Sequence, residues 1–178
     1  MAKKAVAYTD YLQETLAALA DPGCLLASQG RDETMNAMTI GWGTIGIIWG
    51  RPVFVVLVRP SRHTWTLLEE NGDFTVNVPP PELRKAVHFC GSKSRRNHDK
   101  FAETGLTPIA GLHVNAPIIE ECVIHYECRT IHKNQVVPDA LAKAVVKDCY
   151  LSGDFHTLYY GHILGVLADE DARERLRP

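Results

Sequence analysis

The chain has 178 residues, of which 46% are hydrophobic and 22% are charged, and its formal net charge is −2. These values fit one globular domain over residues 1–178, and they argue against nucleic acid or an anionic membrane as a partner. No apolar run approaches the roughly 18 residues that a membrane span needs, so we expect a soluble, cytoplasmic protein.

The five cysteines are scattered along the chain without a C-x-x-C pair. Cys122 and Cys128 share a face of a predicted strand, but six strand residues separate side chains by about 20 Å. An odd, scattered set offers no framework for disulfides or zinc. We therefore expect neither structural disulfides nor a metal site.

The first part of the chain predicts a helix followed by a hairpin. Leucines recur at helical spacing before a Pro-Gly turn, so residues 1–22 are predicted to contain a short amphipathic helix that packs on the remaining domain. Cys24–Ser28 and Asn36–Ile40 are predicted strands, joined through a turn at Gly30–Glu33. The leucines of the helix are Leu12, Leu16 and Leu19.

Residues Gly41–Gly46 match G-x-G-x-x-G, the fingerprint of dinucleotide-binding folds. That fingerprint requires a helix to begin at the third glycine and an acidic residue about 20 positions later. Here the chain continues through Ile47–Trp49 to Pro52, and arginines follow where the acidic residue should stand. The pattern therefore indicates a strand and argues against a Rossmann site.

A second strand, Val53–Val58, is followed by a predicted helix whose N-cap is Ser61. The first amides of such a helix lack partners within it and lie at the positive end of its dipole. Arg59 and Arg62 add two guanidinium groups, and Ser61 and Thr64 add hydroxyls. This corner is equipped to hold a phosphate, while an ordinary N-cap with two solvated arginines is the alternative.

The rest of the chain alternates strands and helices. In Ile118–Ile131, apolar residues and cysteines alternate with charged ones, which predicts a strand buried on one face. The other predicted elements are a strand at Asp73–Val78, a helical and polar region at Glu82–Phe101, a helix at Asp139–Tyr150 and a closing strand at Leu158–Leu167.

Two features have a plain interpretation on sequence alone. Lys93, Arg95, Arg96 and Lys100 are most simply cations of a solvated loop. His156, in a turn before the closing strand, is most simply an exposed histidine.

Five segments, in order, resemble the flavin reductase-like family of FMN-binding split-barrel proteins, and within it the flavoredoxin-type branch. They extend from about Ala27 to about Leu167 and read MTIGWGTIGIIWGRPVF, VRPSRHTW, FCGSKS, DKF and HTLYYG. The resemblance implies a mainly β fold, an antiparallel split barrel of Greek-key type with peripheral helices. The N-terminal helical segment would pack on that barrel.

The resemblance also implies a cofactor site for FMN. The extended backbone at Thr39–Gly43 would bind the edge of the isoalloxazine ring, and Trp42 would either stack on that ring or be a core indole. His156 would contact a nicotinamide or relay a proton. The candidate cofactor-binding residues are Asn36, Met38, Thr39, Ile40, Gly41, Trp42, Arg59, Ser61, Arg62, Thr64, Cys90, Gly91, Ser92, Ser94 and Lys100.

The sequence departs from the family at Arg95, which stands where the family usually has glycine. If that glycine uses a positive φ, Arg95 would strain the turn.

Two functions remain open, together with a third in which the protein binds or senses flavin without turnover. The chain is either an NAD(P)H-dependent flavin reductase, with NADH or NADPH as donor, or an FMN electron-transfer protein that exchanges electrons with a protein partner. Flavin itself supplies the redox chemistry in both, so no nucleophile-base pair is expected. We also expect a homodimer, because a barrel of this size leaves apolar strand surface and half of each flavin pocket open.

Overall fold

A computed structural model gives the fold of residues 3–177, which form an eight-stranded antiparallel sheet with short helices at its periphery. The strands are β1 (Lys3–Ala5), β2 (Cys24–Gln29), β3 (Met35–Ile40), β4 (Gly43–Ile48), β5 (Arg51–Val58), β6 (Asp73–Val78), β7 (Pro108–Ile109), β8 (Ile118–Ile119), β9 (Ile124–Gln135) and β10 (Thr157–Asp169). The helices are α1 (Leu12–Ala20), α2 (His63–Glu70), α3 (Arg84–Ser92), α4 (Lys100–Thr104), α5 (Lys143–Cys149) and α6 (Ala172–Arg175), with 3-10 turns at Pro81–Leu83 and Pro138–Ala140. The mainly β fold with peripheral helices is confirmed; residues 1, 2 and 178 of the predicted domain lie outside the described residues.

The strand order is β3-β2-β6-β9-β10-β5-β4, with β1 beside β10, while β7 and β8 form a separate two-stranded ribbon. The closing strand β10 organises the sheet. It pairs with β9 along one side, and on the other side its first half pairs with β5 and its last residues with β1. Two register shifts in the β9–β10 ladder, at Tyr160/Gly161 and Ile163/Gly165, add local bending.

The sheet curves until its two ends share one apolar interior. Ile40 of β3 and Ile45 of β4, at opposite ends of the strand order, pack in the same core as Tyr126 of β9. Phe54 of β5 packs edge-on against Tyr126 with ring centroids 5.4 Å apart. The glycine-rich segment thus lies where the two ends meet, and it forms β4 instead of a helix, which excludes the dinucleotide-binding geometry.

Helix α3 covers the outer face of β2 and β3. Cys24 and Leu26 of β2 face the barrel interior, whereas Leu25 and Ala27 pack against Val87 of α3. Because β2 is buried on both faces, its sequence is continuously apolar from Cys24 to Ala27 instead of alternating. This packing fixes α3, and the basic segment that follows it, beside β3.

Helix α1 forms as predicted, but its buried face differs from the leucine pattern. Leu19 is buried, whereas Leu16 is 44% exposed and Thr15 is buried in its place. The Thr15 hydroxyl lies 2.9 Å from the Tyr126 hydroxyl inside the barrel. A satisfied polar pair therefore occupies a position where the periodicity predicted an aliphatic contact.

The expectation of a strand within Ile118–Ile131 is confirmed over Ile118–Ile119 and from Ile124 onward, but the expectation that it is buried on one face only was wrong. The long strand there is β9, Ile124–Gln135, and His125 and Glu127 on its supposedly polar face are both fully buried. His125 Nδ1 lies 2.7 Å from Asn77 Oδ1, and Glu127 accepts hydrogen bonds from two backbone amides of a covering loop. Alternation reports side-chain polarity, but it does not show that a distant loop covers the second face.

Four of the five cysteines are buried and all five are free thiols. Within residues 3–177, no group of three or more metal-ligating side chains comes together in a way that could hold an ion. None of the helices described above is both long and apolar enough to cross a membrane.

Candidate functional site

Two adjoining cavities lie where β3 ends and α2 begins. The β3 cavity has a volume of about 190 Å³ and is lined by Met38, Thr39, Ile40, Gly41, Trp42, Leu57, Arg59, Arg62 and His156. The α2 cavity has a volume of about 140 Å³ and is lined by Asn36, Met38, Ser61, Arg62, His63, Thr64, Cys90, Gly91, Lys93, Ser94, Arg95, Arg96 and Lys100. Met38 and Arg62 belong to both, so the two cavities form one elongated site.

This site brings together all the candidate residues from the sequence except Ser92. The Ser92 side chain is exposed, and its hydroxyl donates to the Phe89 carbonyl at 3.3 Å. The contact of the other residues with a cofactor stays a prediction, but their convergence from β3, α2, α3 and α4 is a property of the fold.

The β3 cavity has an aromatic wall. The Trp42 indole is 44% exposed, and its ring centroid lies 5.0 Å from that of His156. His156 is buried, and its Nδ1 lies 2.7 Å from the Tyr150 hydroxyl. Burial, and next the positive charge of Arg59, lower the pKa of His156 to about 4, so its imidazole is neutral at neutral pH. Since Tyr150 engages Nδ1, Nε2 is the nitrogen left for a ligand.

Arg59 lines the β3 cavity together with Arg62, but it does not line the α2 cavity. Its guanidinium donates to the carbonyls of Cys149, Gly153 and Asp154 at 2.8, 3.3 and 3.0 Å. All three acceptors lie in the segment that precedes β10 and carries His156. Arg59 therefore holds that segment against the β3 cavity, a role set by tertiary contacts between residues 90 to 95 positions apart in sequence.

The prediction that Ser61 caps α2 was also wrong. The N-cap residue is Arg62, and no side chain makes a capping hydrogen bond there. Ser61 instead donates its hydroxyl and its amide to the Asp154 carboxylate, at 2.6 and 3.2 Å. A carboxylate is a strong acceptor, and it draws the serine away from the helix that local sequence assigns to it.

The α2 cavity is strongly basic. Lys100 is buried, and its ammonium group donates to the carbonyls of Ala37 and Cys90 at 2.8 Å each. Burial is the largest cause that lowers the pKa of Lys100, to about 8, and the charge of Arg62 adds to it. Carbonyl partners orient this cation without neutralising it, so the cavity is prepared to receive an anion.

Asn36 carries an unsatisfied acceptor at this site. Its side chain is 1% exposed, and Nδ2 donates to the Thr64 hydroxyl at 2.7 Å. Oδ1 has no hydrogen-bond partner among the described residues. A buried acceptor without a donor costs about 1 to 3 kcal/mol, so the site fits a ligand that brings a hydroxyl or N–H group.

The basic segment after α3 approaches the cavity without the strain that the sequence suggested. Arg95 is not among the non-glycine residues with positive φ, which are Glu33, Trp49 and Asp154. Its Nε donates to the Met35 carbonyl at 3.4 Å. Lys93, Arg95 and Arg96 thus line the cavity, whereas charge alone had favoured a solvated loop.

His63 also lines the α2 cavity, but the sequence analysis did not name it as a site residue. Its position as the first residue of α2, at the strand-to-helix corner, was the signal that could have identified it.

A more spacious cavity, of about 670 Å³, lies away from this site, between the β2–β3 turn and residues 108–117. Its ionisable lining residues are Arg31 and Glu33, which carry opposite charges. It has neither an aromatic wall nor a concentration of one charge. The smaller site at α2 has both the concentration of cations and the aromatic wall that this cavity lacks.

The fold and the site define a class of protein: a split β-barrel with a cleft that is basic at one end and aromatic at the other, suited to a planar ligand with an anionic tail. Residues 16–177 match the family model described as the flavin reductase like domain. The chain belongs to the flavin reductase-like family, as its sequence motifs indicated.

Individual relatives agree with this assignment. An uncharacterized protein of Archaeoglobus fulgidus is 31% identical over 134 residues, which cover 75% of this chain and 66% of that protein. This chain thus spans about two thirds of that relative's length. The flavoredoxin of Desulfovibrio vulgaris (Miyazaki F) is 30% identical with a TM-score of 0.68, over 84% of this chain and 70% of the flavoredoxin.

An FMN-binding protein from Thermus thermophilus, solved with bound p-hydroxybenzaldehyde, is 25% identical with a TM-score of 0.68. The match covers 88% of this chain and 76% of that protein. These likenesses confirm the split-barrel fold.

Proposed function

We propose that the chain binds FMN along the two joined cavities and acts as an NAD(P)H-dependent flavin reductase-like oxidoreductase. The observation that carries the proposal is the polarity of the cleft: cations around the α2 cavity, an orphaned acceptor on Asn36, and the Trp42–His156 wall of the β3 cavity. FMN has the matching order of groups, a phosphate, a hydroxylated chain and a flat ring.

The phosphate would lie in the α2 cavity. Arg62 and Lys100 would provide charge, Ser94 a hydroxyl, and the first amides of α2 the unpaired donors of a helix start. The Ser61 hydroxyl donates to Asp154 and is therefore not assigned to this role. A hydroxyl of the ribityl chain would satisfy Asn36 Oδ1.

The ring would lie in the β3 cavity, with its edge on the backbone after Thr39 and its face near Trp42. When bound, the flavin supplies hydride and electron transfer. His156 is neutral, so it would donate a hydrogen bond from Nε2 to the carboxamide of a nicotinamide, while Tyr150 fixes the ring orientation through Nδ1. Arg59 positions both residues through the segment that carries them.

A second function, electron transfer between FMN and a protein partner, has one observation in its favour. The Trp42 indole is an apolar group that lines the β3 cavity, and it is 44% exposed. Apolar groups at the mouth of a cleft suit a docking protein. The likeness to a flavoredoxin supports this alternative as well.

The test is the colour and the reduction of the purified protein. We expect a yellow protein that carries FMN in preference to FAD, and we expect NADH or NADPH to bleach its flavin absorbance in the absence of oxygen. A colourless protein that does not quench added FMN fluorescence would exclude FMN binding. Bound FMN that neither nucleotide bleaches would favour the electron-transfer function.

We expect the FMN-loaded protein to be a homodimer. Apolar side chains stand exposed on strands or turns of the sheet: Ile47 is 59% exposed, Trp49 63% and Ile131 40%. A second copy would cover this surface and the open side of the flavin site. Light scattering at micromolar concentration measures the mass directly, and a monomer mass with FMN bound would refute the expectation.

Lys100 gives the proposed site a pH dependence. Its pKa is about 8, so the ammonium group loses its proton over the pH range around 8. Phosphate binding favours the protonated form, so FMN affinity should be nearly constant between pH 7 and pH 8 and fall by up to about tenfold per pH unit above pH 8. Riboflavin lacks the phosphate and should show no such fall. Fluorescence titration of both flavins from pH 7 to pH 10 checks this, and parallel profiles would remove Lys100 from the phosphate site.

The proposal includes a cytoplasmic location. In a reducing compartment the five free thiols would stay reduced.

A further inference from the structure

The α2 cavity holds more positive charge than a flavin phosphate requires. Its cationic lining residues are Arg62, Lys93, Arg95, Arg96 and Lys100, and no aspartate or glutamate lines it. A phosphate monoester carries at most about two negative charges at neutral pH. The formal net charge of the whole chain is −2, so this concentration of cations is local.

The cations are positioned without being neutralised. Arg96 donates from its guanidinium to the Ser61 carbonyl at 3.1 Å, and Arg95 donates to the Met35 carbonyl at 3.4 Å. Neither arginine forms an ion pair with a carboxylate anywhere in residues 3–177. A backbone carbonyl orients a guanidinium but leaves its charge available to a ligand.

The effect of this charge is visible on a neighbouring side chain. Burial is the largest cause that lowers the pKa of His63, and the charges of Arg96 and Arg95 follow it. A further cation is therefore disfavoured at this place, and anions are correspondingly favoured.

The cations divide into an inner and an outer group. Lys100 is buried, and Arg62, although exposed, lines both cavities, so these two fit the phosphate of a flavin whose ring occupies the β3 cavity. Lys93 and Arg96 are exposed and Arg95 is half-buried. We call Lys93, Arg95 and Arg96 the outer rim; it faces solvent, from which a second anionic group would arrive.

We propose that the outer rim binds the 2′-phosphate of NADPH, so that the proposed reductase uses NADPH in preference to NADH. This inference rests on the proposed function. The nicotinamide must reach the β3 cavity, and this cavity adjoins the α2 cavity at Met38 and Arg62. The adenosine half of a donor that extends along the joined cavities would therefore lie beside the outer rim. The 2′-phosphate is the chemical difference between the two donors, and arginine is the side chain that accommodates it in other dinucleotide sites.

Binding of nucleotide fragments tests the rim without turnover. Isothermal titration of the FMN-loaded protein would compare adenosine 2′,5′-bisphosphate with 5′-AMP, which lacks the 2′-phosphate. We expect the bisphosphate to bind at least about tenfold more tightly, and Lys93→Ala or Arg96→Ala each to reduce that preference by several-fold to about tenfold. The control is Lys85→Ala, which removes the same charge from an exposed position of α3 outside both cavities.

Anaerobic reduction of the bound flavin provides the second measurement. In the two rim variants the kcat/KM for NADPH should fall because KM rises, while the kcat/KM for NADH stays unchanged. Equal affinity for the two fragments, or equal losses for both donors, would overturn the rim assignment and leave the rim to an acidic protein surface. If the bisphosphate binds more tightly than 5′-AMP but neither donor reduces the flavin, the 2′-phosphate subsite is supported and the proposed reductase activity is contradicted.

Discussion

Replacing Arg62 with alanine is expected to weaken FMN binding by about tenfold to a hundredfold and to leave riboflavin binding nearly unchanged. The side chain lies at the junction of the two cavities, and no described residue accepts a hydrogen bond from its guanidinium. It is therefore free to contact a phosphate. Loss of one charge-assisted contact costs about 1.5 to 3 kcal/mol, which gives this range of affinities. Fluorescence titration with both flavins measures the two dissociation constants.

Arg59→Ala is the matched control, because it removes the same charge from the same cavity wall. Arg59 is committed to three carbonyls of the segment before β10, so its loss should loosen that segment and weaken both flavins together. Its melting temperature should fall as well. If Arg62→Ala also weakened FMN and riboflavin equally, Arg62 would be a structural residue and the phosphate would lie nearer the outer rim.

The contrast between these two arginines shows which features of the site can be predicted from the sequence and which cannot. The strand-to-helix corner, where Arg62 is the N-cap residue, can be predicted from local patterns: a β-branched run, a proline and a polar helix start. The partners of Arg59 and Ser61 cannot, because both bind the segment around Asp154, more than 90 residues away in sequence. Local capping rules predict that Ser61 caps the helix that follows it. Only the folded chain shows that Ser61 donates to the Asp154 carboxylate instead.

Strand β9 shows the same limit in the core. Its alternating pattern predicted a strand correctly, but His125 and Glu127 needed Asn77 and a covering loop to become buried.

In the basic segment after α3, tertiary packing changed the role of residues that local sequence had assigned to solvent. Charge alone indicated a solvated loop, while the packing of α3 against β2 brought Lys93 and Arg96 to the mouth of the α2 cavity.

Gly161→Ala is expected to destabilise the protein by about 3 kcal/mol, at the upper end for overpacked cores. Gly161 lies in β10 at one of the register shifts against β9. A Cβ there would collide with Cζ of Phe74, and it would lie 2.7 Å from Phe74 Cε1 and 2.8 Å from Cys128 Cβ. Phe74 and Cys128 are fully buried, so neither can move aside into solvent. For a chain of this size we expect the melting temperature to fall by about 6 to 12 °C.

Gly46→Ala is the control for this prediction, since it adds the same methyl group to a strand of the same sheet. An added Cβ at Gly46 meets no atom within 4 Å. Gly46 also lacks the positive φ that would strain an alanine, so its replacement should leave the melting temperature unchanged or raise it slightly. Thermal unfolding of both variants, followed by circular dichroism, separates a close contact from a general effect of replacing glycine. Equal melting temperatures for the two variants would mean that β10 does not approach Phe74 as closely as the fold indicates.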